Sequence, residues 1–245
     1  MMRSRGGPAT LSKKKFHTMN EHVDFDDFTE NYNQLLNEKT RFFSSDEAYF
    51  ARYKVEIIRG HVFSPVARLL EFGCGIGRNI PFLQHAFPGA NIVGSDISLA
   101  SLEIAKRDNP DVEFMHEDGS AVSTELFDVI FVAGVFHHIP PEQRTAAART
   151  LYRRLMPGGL LFAFEHNPFN PVTRHIVNNC PYDKDAVLLK PSELRDILRR
   201  AAFTVERNSY CLFVPPSLSA LAWLEKRLCW LPLGGQYWMQ AKRPS

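Results

Sequence analysis

The sequence is poor in cysteine and has no long apolar run. Its four cysteines are widely spaced along 245 residues and form no C-x-x-C pair: they are Cys74, Cys180, Cys211 and Cys229. We therefore predict reduced thiols in a cytoplasmic protein, and no metal site. No apolar stretch reaches the roughly 20 residues that are needed to span a bilayer. The net charge of +2 gives no global reason to expect a nucleic-acid partner.

The length and the hydrophobic fraction of 44% fit one α/β domain with additional segments. The first residues carry five Lys or Arg and no acid, which is typical of a disordered leader. The helical spacing of Phe25, Phe28 and Tyr32 then predicts a helix that covers the sheet. The predicted organisation is a basic leader at 1–18, a helical cap at 19–62 and a main domain at 63–245.

The most informative segment is 69–78, with the sequence LLEFGCGIGR. Apolar residues lead to Glu71, three glycines follow at alternate positions, and a helix-forming run begins at once. This pattern predicts a strand, a tight turn and a helix N-terminus, in which backbone N–H groups can approach a nucleotide-like ligand. A dinucleotide site requires G-x-G-x-x-G, and the position of its last glycine is occupied by Arg78. The pattern therefore argues against a dinucleotide-dependent oxidoreductase.

The segment resembles motif I of the class I S-adenosylmethionine (SAM) methyltransferases, E/D-x-G-x-G-x-G, and later segments match further motifs in the same order. Asp96 ends a second predicted strand, where a carboxylate can accept hydrogen bonds from both ribose hydroxyls. Asp118 follows a third predicted strand, where the family often has an acidic residue facing the adenine amino group. The resemblance covers residues 66–166. It implies SAM as cofactor and S-adenosylhomocysteine as product.

The resemblance also implies a Rossmann-like, doubly wound α/β fold. Its seven-stranded sheet would have the order 3-2-1-4-5-7-6 with the last strand antiparallel, under an N-terminal helical cover. The predicted strands after the glycine motif are 90–94, 112–116, 127–133, 160–164, 203–213 and 236–241. A turn at 156–159 precedes the fifth strand, and an inserted helix at 215–232 separates the last two.

Most residues implied in cofactor binding lie at the ends of the first four strands. They are Glu71, Gly73, Cys74, Gly75, Gly77, Arg78, Asp96, Ile97, Asp118, Gly119 and Ala133, with Tyr32 contributed by the helical cap. Arg78 can meet the SAM carboxylate or cap a neighbouring carbonyl group, and the sequence leaves both interpretations open. For Lys54, in the next predicted helix, a solvated helix face is the simpler interpretation.

Two histidines follow the fourth predicted strand directly. Since open α/β sheets bind ligands at the carboxyl ends of their strands, His137 and His138 are predicted to lie in the acceptor crevice. A histidine titrates near neutral pH and can remove a proton from a hydroxyl group. The alternative is that one of them holds the loop or borders SAM.

A second polar cluster, 165–190, begins at the end of the fifth predicted strand and is predicted to be the acceptor-recognition loop. Glu165 and His166 can act as an orienting group and a base, and Arg174 can pair with a carboxylate or phosphate of the substrate. Asn167 is predicted to contact substrate as well. The alternative is a long connection whose polar side chains satisfy their own backbone.

These features predict a SAM-dependent methyltransferase that acts on a small molecule. The histidines favour oxygen as the methyl acceptor, in a natural-product or glycan precursor. The chain lacks an aromatic and basic platform for nucleic acid, and we expect a monomer or a homodimer.

Two alternatives remain open. The first is C- or N-methylation of a lipid or polyprenyl acceptor, with 217–231 resting on a membrane through Trp223 and Trp230. Packing of that helix on the domain is the preferred interpretation of the same residues. The second is a non-catalytic scaffold that binds a partner, which the retained glycine motif and Asp96 argue against.

Overall fold

The computed structural model describes residues 48–118 and 125–245. The predicted leader, most of the helical cap including Tyr32, and the predicted cofactor residue Gly119 lie outside the described residues. The helices are α1 Tyr49–Arg59, α2 Ile80–Ala86, α3 Leu99–Asp108, α4 Arg144–Arg154, α5 Pro171–Asn178, α6 Pro191–Arg200 and α7 Trp223–Leu228. The strands are β1 Arg68–Phe72, β2 Asn91–Asp96, β3 Glu113–His116, β4 Phe127–Ala133, β5 Leu155–His166, β6 Thr204–Cys211 and β7 Gln236–Lys242.

The seven strands form one sheet with the order β3-β2-β1-β4-β5-β7-β6. Strands β1 to β5 are paired in parallel. Strand β7 lies antiparallel between β5 and β6. The predicted fold class and strand order are therefore confirmed. The carboxyl ends of β1, β2, β4 and β5 lie at one edge of this sheet, and the candidate site is built there.

The central strands are buried on both faces, as expected for parallel strands with helices on either side. Leu69 and Phe131 pack on the face covered by α1 and α2. Their chain neighbours Leu70 and Ile130 pack on the opposite face, against α4 and α6. Successive side chains of a strand point to opposite faces, so each central strand contributes to both halves of the core.

Strand β5 begins earlier than predicted. The segment 156–159 was expected to form a turn, but it continues the strand from Leu155. Backbone hydrogen bonds explain the difference: Gly158 N–H donates to Arg243 O at 2.8 Å, and Arg243 N–H donates to Gly159 O at 3.0 Å. A register shift opposite Phe127 and Val129 accommodates the added residues.

The predicted loop 165–190 contains regular structure. Asn170 accepts a hydrogen bond from Thr173 N–H at 2.9 Å and caps α5, with Pro171 in the first turn. A short 3₁₀ segment follows at Pro181–Asp183. The predicted acceptor-recognition loop therefore contains helical segments, because its asparagine and prolines begin helices.

The predicted inserted helix is divided into a 3₁₀ segment, Pro216–Leu221, and the short helix α7. Glu225 attaches α7 to the rest of the domain. It accepts hydrogen bonds from Phe213 N–H at 2.8 Å and from the Tyr53 hydroxyl at 2.9 Å. Although these bonds hold α7 on the domain, Trp223 and Trp230 are 55% and 72% exposed, so the two tryptophans themselves are not packed in the core. Within the described ranges, every helix is too short or too polar to cross a bilayer.

Candidate functional site

The turn after β1 presents open backbone at the carboxyl edge of the sheet. Gly73 and Gly75 have φ of +74° and +53°, a region that favours glycine. A side chain at Gly73 would collide with Val135, whereas a Cβ added at Gly75 would meet no atom within 4 Å. Gly73 is therefore required for packing, and Gly75 leaves space into which a ligand can reach.

Asp96, at the end of β2, fixes this turn. Its Oδ2 accepts a hydrogen bond from Gly75 N–H at 2.7 Å, and its Oδ1 accepts one from Ser98 N–H at 2.9 Å. Burial raises the pKa of Asp96, although the hydrogen bonds from Ser98 and Gly75 act in the opposite direction. A carboxylate has about four acceptor positions, so these two bonds orient Asp96 and leave capacity for hydroxyl donors of a ligand.

Glu71 lies beneath the turn and is buried. Its Oε1 accepts a hydrogen bond from Asn79 Nδ2, and its Oε2 has no hydrogen-bond partner among the described residues. Burial raises the pKa of Glu71 to about 8, against the effects of Asn79 and of the Lys54 charge. Burial likewise lowers the pKa of Lys54 to about 8, despite the nearby carboxyl group of Glu71. The arrangement leaves Oε2 of Glu71 available to a polar group of a ligand.

Four further predicted cofactor residues border the same edge in different ways. Ile97 is 63% exposed after β2, and Asp118 is exposed after β3. Ala133 is half-buried at the end of β4. Cys74 is buried with its thiol close to Gly94, so only its backbone can face a ligand.

His137 and Glu165 connect the ends of β4 and β5. The Nδ1 atom of His137 donates to Glu165 Oε2 at 2.6 Å, and Phe136 N–H donates to Glu165 Oε1 at 2.8 Å. Both oxygens of the buried carboxylate are thus used to hold the turn after β4. The prediction that these residues lie at one edge of the sheet agrees with this geometry.

Asp183 brings the second histidine into the same cluster. Its Oδ1 lies 3.5 Å from His137 Nε2 and 3.4 Å from His138 Nε2. The other ring nitrogen of His138 lies 3.7 Å from Asp185 Oδ1. His166 completes the group, with its ring centroid 5.0 Å from that of His137. Val187 N–H donates to His137 O at 2.8 Å and attaches the 183–187 segment to the turn after β4.

The charges in this cluster follow from its burial and its two carboxylates. Burial alone would lower the pKa of His137, but Glu165 and Asp183 raise it to about 9. Burial opposes the charged forms of Glu165 and Asp183 as well, yet the neighbouring histidines lower both pKa values. Burial and the charge of His137 lower the pKa of His138 and of His166 to about 4. Near neutral pH, one imidazolium therefore lies between two carboxylates and beside two neutral histidines.

The glycine turn and the histidine cluster adjoin each other. Val135 touches the turn at Gly73 and precedes His137 by two residues. Lys54 of α1 acts electrostatically on both halves, since its charge lowers the pKa values of Glu71 and His166. The two halves therefore lie next to each other at the carboxyl edge of the sheet.

Two predicted substrate residues lie outside this cluster. Asn167 is completely buried; its Nδ2 donates to Pro232 O at 3.0 Å and to Gly234 O at 2.7 Å, and its Oδ1 accepts from Phe169 N–H at 3.0 Å. The substrate role of Asn167 is therefore wrong, because its amide is used to join two backbone segments. Arg174 is exposed on α5, and its role stays a prediction.

Asp183 is the functional candidate that sequence reasoning missed. It belongs to a proline-initiated 3₁₀ segment, which the sequence presents as an ordinary turn. Its partners His137 and His138 lie far away along the chain and reach it only through the sheet. The spacing of the cysteines also gives no information about a cluster that consists of histidine and aspartate.

Comparisons with known proteins find similarity to methyltransferases. A model of the family described as "Methyltransferase domain" matches residues 69–159. Thiocyanate methyltransferase 1 of Arabidopsis thaliana is 34% identical over 158 residues, covering 60% of this chain and 64% of the relative. Trans-aconitate 2-methyltransferase of an Azoarcus species is 33% identical over 96 residues, covering 39% of this chain and 37% of the relative. The chain thus spans less than two thirds of these relatives.

Among solved structures, a SAM-dependent methyltransferase from Archaeoglobus fulgidus superimposes with a TM-score of 0.65. The match covers 86% of this chain and 99% of that structure, at 15% sequence identity. At this identity the likeness concerns the fold alone.

Proposed function

We propose that the chain is a class I SAM-dependent methyltransferase and that it transfers the SAM methyl group to an oxygen of a small-molecule acceptor. A natural-product or glycan precursor is the class of acceptor we favour. The two relatives named above are named for small acceptors, thiocyanate and trans-aconitate, which supports a small molecule here. The observation that carries the oxygen assignment is the cluster of three histidines and two carboxylates beyond β4 and β5.

The residues at the glycine turn fit SAM. The open space at Gly75 can receive the ligand, and the oriented carboxylate of Asp96 can accept hydrogen bonds from ribose hydroxyls. The unpartnered Oε2 of Glu71 can pair with a polar group of the ligand, and a cationic group there would favour the ionised form of Glu71. When bound, SAM supplies a methyl group that its positively charged sulfonium activates for displacement.

The histidine cluster supplies the residues that can handle the acceptor proton. His137 carries a proton between Glu165 and Asp183, so its role is to hold and orient the cluster. His138 and His166 stay neutral near pH 7 because burial and the charge of His137 lower their pKa values. A neutral imidazole can accept the proton that an acceptor hydroxyl loses. His166 ends β5 beside His137, and we propose it as the base.

Methyl transfer to acceptors of different chemical classes tests this proposal. The purified protein is incubated with SAM labelled in its methyl carbon and with phenols, sugars, carboxylic acids or thiocyanate, and products are analysed by NMR. A methoxy or methyl ester product supports an oxygen acceptor. We expect His166→Gln to lower kcat by about 10²–10⁴-fold, and His175→Gln, exposed on α5, to leave it unchanged. Transfer only to carbon, nitrogen or sulfur would refute the oxygen assignment.

A second candidate is a lipid or polyprenyl acceptor at a membrane surface. The observation that favours it is a group of exposed apolar side chains near the acceptor side: Phe169, Val172, Trp223, Trp230 and Leu233. Asn170 Nδ2 donates to Leu233 O at 2.7 Å, so the segment that follows His166 is joined to this surface. Lys226 and Arg227 lie on α7 beside the tryptophans and suit an anionic headgroup.

Vesicle flotation separates the two candidates. The protein is mixed with vesicles of neutral phospholipid or of neutral and anionic phospholipid. Binding to the anionic vesicles that is reduced in Trp230→Ser would support the lipid candidate. Absence of binding to both, together with methylation of a water-soluble acceptor, would remove it.

A further inference from the structure

Two histidine nitrogens converge on one carboxylate oxygen at the carboxyl edge of the sheet. His137 Nε2 and His138 Nε2 lie 3.5 and 3.4 Å from Asp183 Oδ1. Ligand atoms of these three residues all lie within 4.8 Å of one another. The three side chains come from two turns, one after β4 and the other at Pro181–Asp183, and are only 2–11% exposed, so the convergence does not depend on a long exposed side chain.

The spacing fits metal ligands better than hydrogen bonds. Ordinary N–H···O hydrogen bonds have donor–acceptor distances of about 2.7–3.2 Å, which the two contacts to Asp183 exceed. Around a tetrahedral zinc ion with bonds of about 2.0–2.1 Å, neighbouring ligand atoms are about 3.3 Å apart. The observed separations of 3.4 and 3.5 Å are close to that value.

The nitrogens on the far sides of both rings face carboxylates. His137 Nδ1 donates to Glu165 Oε2 at 2.6 Å, and His138 Nδ1 lies 3.7 Å from Asp185 Oδ1. Histidines that bind metals generally donate their second ring N–H to a carboxylate or carbonyl group, which orients the ring. His137 has this arrangement, whereas the 3.7 Å between His138 Nδ1 and Asp185 Oδ1 is longer than a hydrogen bond, so Asp185 is only a nearby carboxylate for the second ring.

We propose that His137, His138 and Asp183 bind a divalent transition-metal ion of the zinc type, which would replace the proton that His137 Nε2 holds towards Asp183 in the metal-free protein. Two imidazoles and one carboxylate are a ligand set that such ions accept, and three protein ligands leave a coordination position open. The site lies where the methyl acceptor would bind, so an acceptor oxygen could complete the coordination and lose its proton more readily. That role in the reaction rests on the proposed function, whereas the metal site itself does not.

Cobalt is the probe of choice, because Co²⁺ absorbs visible light and replaces Zn²⁺ at such sites. The full chain, without an affinity tag and after dialysis against a chelator, is titrated with Co²⁺ and then with Zn²⁺. We expect one equivalent of Co²⁺ with the absorption of a four- or five-coordinate ion, displaced by one equivalent of Zn²⁺. Loss of a residue that only supports a metal ligand weakens metal binding by about 10–100-fold. Loss of a ligand itself should weaken Co²⁺ binding by at least this factor.

Asp183→Asn and His138→Gln should each show that weakening, and two variants are used in case one fails to fold. His85→Gln removes an exposed histidine of α2 and should bind as the original protein does. Co²⁺ without a site spectrum, or equal uptake by Asp183→Asn and the original chain, would overturn the proposal. SAM binding is measured in parallel by calorimetry. Metal binding without SAM binding contradicts only the proposed function, and SAM binding without metal contradicts only the metal site.

Discussion

His137 and Glu165 form a buried ion pair, with 2.6 Å between Nδ1 and Oε2 and exposed fractions of 2% and 1%. The pair joins the turn after β4 to the end of β5, and the second oxygen of Glu165 accepts Phe136 N–H at 2.8 Å. One carboxylate therefore fixes the ring orientation of His137 and the backbone that carries it. The acceptor half of the site depends on this contact, which leads to the first expectation.

Glu165→Gln should destabilise the protein strongly. The amide can still accept Phe136 N–H, but it leaves the positive charge of His137 without one of its two buried counter-charges. Breaking a buried pair by removal of one partner costs about 3–5 kcal/mol. Chemical unfolding followed by circular dichroism measures the change, with Glu113→Gln, exposed on β3, as the control. Equal losses in both variants would mean that the pair contributes no special stability.

Glu71→Gln should remove a pH dependence of stability. The folded pKa of Glu71 is about 8 against an ordinary value of 4.5. Below the lower value both states are protonated; as the pH rises towards 8 the unfolded chain ionises first, so the free energy of unfolding falls. Glutamine cannot ionise but retains the oxygen that accepts Asn79 Nδ2. The variant should therefore gain stability relative to the original protein between pH 5 and pH 8.

Thermal melts across this pH range measure the effect. For a chain of this size, each 1 kcal/mol changes Tm by about 2–4 °C. The original protein and Glu71→Gln should have similar Tm values near pH 4.5 and diverge as the pH rises. Parallel curves for the two proteins would show that Glu71 is ionised in the folded state throughout.

Gly75→Ala should weaken SAM binding at a small cost in stability. The added methyl group enters the open space over the turn, and the left-handed backbone costs about 1 kcal/mol for a residue other than glycine. Gly89→Ala is a matched control, because Gly89 also has positive φ and no atom within 4 Å of the added Cβ, but lies after α2 away from the site. Calorimetry with SAM compares the two. Equal affinities would indicate that the ligand does not approach Gly75.

The glycine turn and most strands were accessible to sequence reasoning because they depend on local patterns, whereas the strand order was implied by the resemblance to the methyltransferase family. Glu71, Gly75 and Asp96 lie at strand ends that apolar runs define, so their meeting at one edge follows from the parallel sheet. His137 and Glu165 are positioned in the same way by β4 and β5.

The remaining features depend on contacts between distant segments. Asp183 lies in the site beside a backbone hydrogen bond from Val187 to His137, which joins the two segments. The residues around Asp183 in the sequence do not predict this hydrogen bond. Asn167 looked like a substrate ligand because it follows a strand end, but its amide is used by 232–234. Trp230 follows the short helix α7, so its exposure depends on which side of that helix faces the domain. Glu225 determines this side through its hydrogen bonds to Tyr53 and Phe213.

The most direct test of the account is isothermal titration of the purified protein with SAM and with S-adenosylhomocysteine. We expect micromolar binding of both, at least tenfold weaker in Asp96→Ala and unchanged in Asp111→Ala, whose acid is exposed after α3. A folded protein, free of copurified ligand, that binds neither compound would contradict the account and favour a partner-binding scaffold.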